Sequence, residues 1–482
     1  MFRRSTQIIL FYSVSILFLA LNFYFLVQRE TLLINLLPLL AAVVFTALVR
    51  MDRLLLLVAF FTPLSLPLNK LVPGLSFDMY LPTEPLLFGL LLLFLFKLAE
   101  NRSFDKSLLK HPVSLALYFY LGWMLLTSLT STMPLVSLKF WLAKVWFLTA
   151  FYWMGILLFR NIKNIYWFVG LYCGVFVLVI FYAWSRHLAL GFHNVQAAHF
   201  VMNPFYKDHT SYGAMLTFFI PFLLGITLFP KLRMSYRLLA AVALVLFAVA
   251  LVFSYSRAAW LSLLVGAAVW LLIRLKIRFR PLFVTAVSTI ALVWIFQAPI
   301  LQFLERNDQE SSADLMTHIS SMTNVTSDAS NLERLNRWSC AIRMFEEKPV
   351  FGWGPGTYMF QYAPFQLTRH RTTISTNSAD RGNAHSEYLG PLAESGFLGL
   401  LSFVVLAALI LYRGIHAYSA TNDPEARLLL LSAIIGIVTY LVHGFLNNFL
   451  DTDKASVPFW AFVAIIVAYD LYTKSEQPAS DD

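Results

Sequence analysis

Apolar residues fall in long runs along most of the chain, separated by short polar segments. A helix that crosses a bilayer needs about 20 mostly apolar residues. Runs of that kind cover residues 7–28, 31–49, 53–68, 81–98, 111–130, 137–160, 163–184, 211–229, 236–255, 258–274, 281–299, 396–413, 427–446 and 457–473. The pattern predicts an all-α polytopic membrane protein with 12–14 transmembrane helices. The third run is short and broken by Pro63 and Pro67, which points to a re-entrant segment. Met1 to Arg4, ahead of the first run and with no small-residue cleavage site after it, reads as a retained signal anchor.

One long polar stretch interrupts the pattern, and it divides the chain. Residues 1–299 hold the first eleven or so helices, 300–395 form a large loop, 396–473 hold the last three helices, and 474–482 form a tail. Inside the loop, 305–333 are rich in Ser, Asn, Asp and Thr and are expected to be flexible. Residues 334–348 are charged and amphipathic, and predict a helix that ends before Pro349. Residues 366–381 read as irregular, and the acidic end from Ser475 to Asp482 as disordered.

Composition agrees with a lipid-coated chain. Of the 482 residues 59% are hydrophobic and 13% charged, and mean hydropathy is +0.68. A soluble domain carries about 25% charge. The net charge of +10 would raise nucleic-acid binding in a soluble protein, but here basic residues serve better as topology anchors, and no nucleic-acid partner is expected. With the N-terminus placed in the cytoplasm and the helices alternating, 20 of the 36 Lys and Arg fall on cytoplasmic ends. Both termini are then cytoplasmic, and the 300–395 loop lies outside with residues 185–210, 254–257 and 443–454. Cys173 and Cys340 are too differently placed to pair, and no Cys/His spacing suggests zinc.

Neither a Walker A sequence nor a Rossmann glycine fingerprint is present, so candidate chemistry sits on the outer side. Four features carry it. Gly354 and Gly356, in Gly352-Trp353-Gly354-Pro355-Gly356, could form an anion-binding nest or a tight turn. His385, in Asn383-Ala384-His385-Ser386-Glu387, could act as a general base at a helix entrance, or be an interfacial histidine held by backbone. Ser386 or Asn383 could cap that helix, Glu387 flanks the base, and Glu394 could orient His385 or face water. Arg257 sits between two apolar runs, where an arginine is costly unless it functions or snorkels to headgroups. Arg334 and Arg337, three apart, share one helical face suited to phosphate or to solvent. Together they place guanidinium groups and an imidazole at one membrane face, which suits transfer from a lipid diphosphate.

His385-Ser386, nine residues, then Gly396-Phe397-Leu398-Gly399 resembles the His-[Asn/Ser/Gln]-x9-Gly-x-x-Gly motif of the bacterial O-antigen ligases. The run from Arg337-Trp338 through Pro349-Val350-Phe351-Gly352-Trp353-Gly354 to His385-Ser386-Glu387-Tyr388-Leu389 is similar to the signature of the wider O-antigen ligase and polymerase superfamily. Specific resemblance covers residues 334–400. It implies an inverting, metal-independent glycosyltransferase of the bacterial inner membrane, without a cofactor and with a periplasmic active site. The implied donor is a glycan on undecaprenyl diphosphate, its polyprenyl tail admitted by a groove open to membrane lipid. The implied acceptor is a sugar hydroxyl, most simply on lipid A-core. By the same resemblance His385 activates the acceptor while Arg257 and Arg337 bind the diphosphate. Arg334, Lys207 and His209 are expected as further donor contacts, with Gly354, Gly356, Glu387 and Glu394 around the substrate. A repeat-unit polymerase and a protein O-oligosaccharyltransferase fit the same motif. A transporter of lipid-linked sugars fits less well, because these charges lie at helix ends and in a loop and not at the midplane.

Overall fold

A computed structural model describes residues 4–29, 33–72, 79–100, 105–276, 325–367, 375 and 382–472. The chain forms two compact units, Met1–Val58 and Ala59–Asp482. The first contains α1 (Arg4–Arg29), α2 (Leu36–Val49) and the start of α3 (Met51–Phe61). Apolar side chains such as Ile9, Phe11, Ile16 and Phe23 stand exposed along α1, as lipid contact requires.

The second unit opens where Pro63 and Pro67 break the third apolar run. There the end of α3 gives way to a short 3₁₀ turn and then to β1 (Leu66–Pro67), which pairs antiparallel with β2 (Tyr80–Leu81). The helices that follow are α4 (Thr83–Glu100), α5 (Pro112–Leu129), α6 (Pro134–Leu158), α7 (Ile162–Ala189), α8 (His209–Leu228), α9 (Met234–Phe253) and α10 (Arg257–Arg274). Then come α11 (Val325–Glu347), α12 (Leu389–Ala420), α13 (Pro424–His443) and α14 (Asp453–Tyr472). Every predicted run within the described residues is helical over most of its length; the run at 281–299 lies outside them, as do 305–324 and the tail. Among the described residues ten helices are long and apolar enough to cross a membrane.

Local chemistry sets the helix boundaries. Asp423 caps α13 with Pro424 in its first turn, and Asn161 caps α7. Inside α6, residues 149–153 form a fully buried π-turn, and α12 kinks at Gly396.

The core runs along α14, which is 83% buried over its span, against 22% for α9 and α10. Phe462 stacks among Phe218 and Phe222 of α8 at ring separations of 4.3 and 4.7 Å. Ion pairs pin both ends of this central helix. At one end Lys454 donates to the carbonyls of Thr62 and Ser65 and to the Ser65 hydroxyl, while Asp453 accepts from Ser65 and Thr83. At the other, Asp470 accepts from His111 and Arg413. Charges inside a span are tolerated only when paired in this way.

The long polar loop folds where it is described. Cys340, Ala341, Met344, Tyr358, Tyr362, Ala384 and Ala393 make a small apolar core, with Trp353, Phe365 and Leu389 packed on it. The helix expected at 334–348 is present, but it starts earlier, so 325–333 are helical where flexibility is expected. A Glu333–Arg337 ion pair, four residues apart, is buried within this helix. Cys173 and Cys340 are both free and buried.

Candidate active site

Four elements meet around His385. The first is the turn before α8. Asp208 caps that helix, its Oδ1 accepting from the N–H groups of Thr210 and Ser211 at 3.0 and 2.8 Å. Burial alone would raise its pKa, but these bonds and the Thr210 hydroxyl hold the carboxyl below its ordinary value.

The second is α11. Arg337 is buried; its Nε donates to Glu333 at 2.6 Å and its guanidinium lies 3.9 Å over the Tyr362 ring. Arg334, one turn before, is half-buried, and burial lowers its pKa while Asp208 opposes the shift.

The third is the segment 382–388. Asn383 Oδ1 accepts from the His385 N–H at 3.2 Å, and Ser386 Oγ accepts from the N–H groups of Tyr388 and Leu389 at 3.2 and 3.3 Å. Ser386 thereby caps the entry to α12. The Trp338 indole of α11 donates to the His385 carbonyl at 3.3 Å. His385 itself takes φ +49°, a left-handed conformation that costs a non-glycine residue about 1–3 kcal/mol and collects at functional sites.

The fourth is the end of α13. Gly444 accepts from the Glu387 N–H at 2.8 Å. Buried His443 lies against the Ala258 backbone and pairs with Asn447 Nδ2 at 3.2 Å.

The electrostatics of His385 follow from this packing. Burial, and then the Arg334 and Arg337 charges, draw its pKa down to about 4, while Asp208 pulls the other way. The imidazole is therefore neutral at pH 7 and able to accept a proton. It forms part of a cleft, partly open to solvent, with Lys207, Asp208, Asn447 and Asp451 in its walls.

The structure brings together His385, Arg334, Arg337 and Lys207. His209 sits alongside, its ring 4.1 Å from that of His199. Arg257 is placed differently. It opens α10, whose first turn packs on α8 and on His443, so its backbone reaches the same end of the bundle, but its side chain is exposed.

Four expected substrate contacts have protein partners. Gly354 and Gly356 have φ of +110° and +73°, as a nest requires, and the anion beside them is Glu394. Its carboxylate accepts from the Tyr358 N–H at 2.9 Å, and its carbonyl from the Gly354 N–H at 2.7 Å. Glu394 thus neither orients His385 nor faces open water; it docks the 349–358 loop. Glu387 is buried, which raises its pKa, and its Oε1 accepts from the Tyr440 hydroxyl and the Phe449 and Leu450 N–H groups at 2.6–2.8 Å. Its carboxylate holds the turn after α13.

Asp208, His443 and Asn447 join the site without having been singled out from sequence. Only Asp208 had a readable signal, a polar N-cap with Ser211 three residues on.

These features define an all-α polytopic membrane protein with a histidine and two arginines clustered where several of its helices end. Residues 242–404 match the family model for O-antigen ligase. Over that stretch the chain is O-antigen ligase-like, as its motifs imply, and the chemistry of that family is glycosyl transfer of the ligase and polymerase type. Arg257, Arg334, Arg337 and His385 all fall inside it. No curated protein matches the chain.

Proposed function

We propose that the chain is a metal-independent, inverting glycosyltransferase that moves a glycan from undecaprenyl diphosphate to a sugar hydroxyl at the periplasmic face of the inner membrane, lipid A-core being the acceptor. The observation that carries this reading is His385, held in a left-handed backbone conformation beside Arg334 and Arg337 inside the matched stretch. The acceptor hydroxyl gives its proton to the neutral imidazole, and its oxygen bonds the anomeric carbon from the face opposite the leaving group. The bond from that carbon to the diphosphate oxygen breaks, and the electron pair leaves with the diphosphate. Arg334 and Arg337 stabilise the charge that builds there, and Arg257, free to swing on its exposed side chain, closes on the donor from α10. Arginine suits this task because its fork of donors matches phosphate oxygens and stays charged when buried.

The test is transfer of a labelled glycan from undecaprenyl diphosphate to rough lipopolysaccharide by full-length protein in nanodiscs. His385→Ala and Arg337→Ala are each expected to cut the rate by at least about 100-fold with unchanged membrane insertion. Wild-type rates in both variants would remove the mechanism. Surface polysaccharide from a deletion strain identifies the acceptor: unattached long chains mark a ligase, and single-repeat caps a polymerase.

A further inference from the structure

The cleft beside His385 has walls of an unexpected kind for a diphosphate site. None of Arg257, Arg334 and Arg337 lines it. Its charged lining residues are two lysines and two aspartates, Lys207, Lys454, Asp208 and Asp451. Lys454 cannot serve an incoming phosphate, because an ammonium has three donors and these already go to Thr62 and Ser65. The rest of the lining is mostly amide and aromatic, with Ser211, Thr452, Met215 and Ala455 between. Asn447 gives its Nδ2 to buried His443, which leaves its carbonyl oxygen for the cleft. Asn448 has a buried Oδ1 with no hydrogen-bond partner among the described residues. An isolated buried acceptor at a cavity wall implies a donor supplied by whatever binds there. Tyr80 and Phe205, both half-buried, supply aromatic faces.

Balanced charge, amide acceptors and aromatic surface suit a neutral polyhydroxyl ring, whose hydroxyls hydrogen-bond to amides and whose C–H face packs on aromatic carbon. We propose that this cleft binds a sugar ring of the acceptor glycan, with Asn447, Asn448 and Asp451 engaging its hydroxyls and Tyr80 and Phe205 covering its apolar face. The inference rests on the glycosyl-transfer reading and adds a division of labour. Donor diphosphate sits with the arginines, acceptor sugar sits in the cleft, and His385 contributes to both.

Steady-state transfer by full-length protein in nanodiscs tests it, with glycan on undecaprenyl diphosphate as donor and rough lipopolysaccharide as acceptor. Asn447→Ala and Asn448→Ala are each expected to raise the acceptor KM about tenfold, the effect of one lost hydrogen bond. The donor KM, and the affinity for undecaprenyl diphosphate measured directly, stay within twofold of wild type. Acceptor KM values within twofold of wild type in both variants overturn the assignment. So does a weakened affinity for undecaprenyl diphosphate, which would put the donor in the cleft. Should Asn447→Ala lose monodisperse elution, Asp451→Ala, at an exposed position, carries the same test. The two levels of the argument fail separately. A wild-type rate in His385→Ala, or no transfer by the wild-type protein, removes the glycosyl-transfer reading. An inactive His385→Ala protein with an unmoved acceptor KM removes only the sugar site.

Discussion

Gly382→Ala changes one hydrogen for a methyl group and is expected to disable Arg337 without touching it. A Cβ at residue 382 would lie 1.8 Å from Arg337 Nη1 and 2.3 Å from its Cζ, where ordinary contact begins near 3.4 Å. The guanidinium would have to retreat by about 1.5 Å. It has little freedom to do so, because Glu333 holds its Nε at 2.6 Å and the Tyr362 ring lies 3.9 Å beneath it. A 1 Å misplacement of a positioning group costs about 100-fold in rate. Gly382 does not occupy the left-handed region, so alanine brings no backbone strain. The narrower unfolded ensemble favours the fold by about 0.4–1 kcal/mol, and the strain on the buried Arg337–Glu333 pair opposes that gain. The expected outcome is a fall of about 100-fold in kcat for glycan transfer, with the thermal midpoint in nanodiscs measured alongside to show that the variant is folded. The double variant with Arg337→Ala supplies the control. If alanine acts through the guanidinium, it adds nothing once the guanidinium is gone. A wild-type rate for Gly382→Ala, or a full additional loss on the Arg337→Ala background, refutes the reasoning.

Three further outcomes follow from the same geometry. The acid limb of kcat/KM, which reports the free enzyme, should fall near pH 4 and not near 6.5, since His385 is protonated only below its depressed pKa. Arg334→Ala removes a cation that repels the protonated ring, so the limb moves to higher pH; a limb that stays put or moves lower contradicts the assignment. Glu387→Ala leaves the Tyr440 hydroxyl and the Leu450 N–H without their acceptor, while the Phe449 N–H keeps a longer bond to the Tyr440 oxygen at 3.3 Å, and should cost about 1–3 kcal/mol for each donor left unsatisfied. Chemical denaturation in detergent measures that loss, and Tyr440→Phe should cost about 1 kcal/mol, nearer one bond's net worth. Trp338→Phe keeps an aromatic ring and removes the indole N–H that meets the His385 carbonyl, together with the second ring that carries it. It is expected to lower kcat about tenfold while acceptor KM stays within twofold, and an unchanged kcat excludes a positioning role.

The helices were legible because lipid imposes one constraint on every span: about 20 apolar residues with their backbone bonds satisfied internally. Pro63 and Pro67 announced the break in the third run for a reason equally local, since proline lacks the N–H a helix needs. The extent of α11 was not legible. Its first residues are polar, and the helix is tied in place further along, where Arg337 pairs with Glu333 and lies over the ring of Tyr362, 25 residues on. The same limit governs the site. Residues 334–400 carry enough spacing to mark His385 and the arginines, because their chemistry dictates residue type. Spacing could not tell which anion fills the glycine nest, and Glu394 fills it from the chain itself. Nor could it show that Asp208 and Asn447, 239 positions apart, line one cleft with His385, or that His443 pairs with Asn447 beside it. They meet because α8 and α10 begin where α13 ends, so three helix termini that look unrelated along the chain share one end of the bundle. In a protein built of spans, helix ends are where polar side chains can stand without penalty. Residues flanking the apolar runs are accordingly the positions from which a site can be assembled, and here the residues given no role in the sequence were all of that kind.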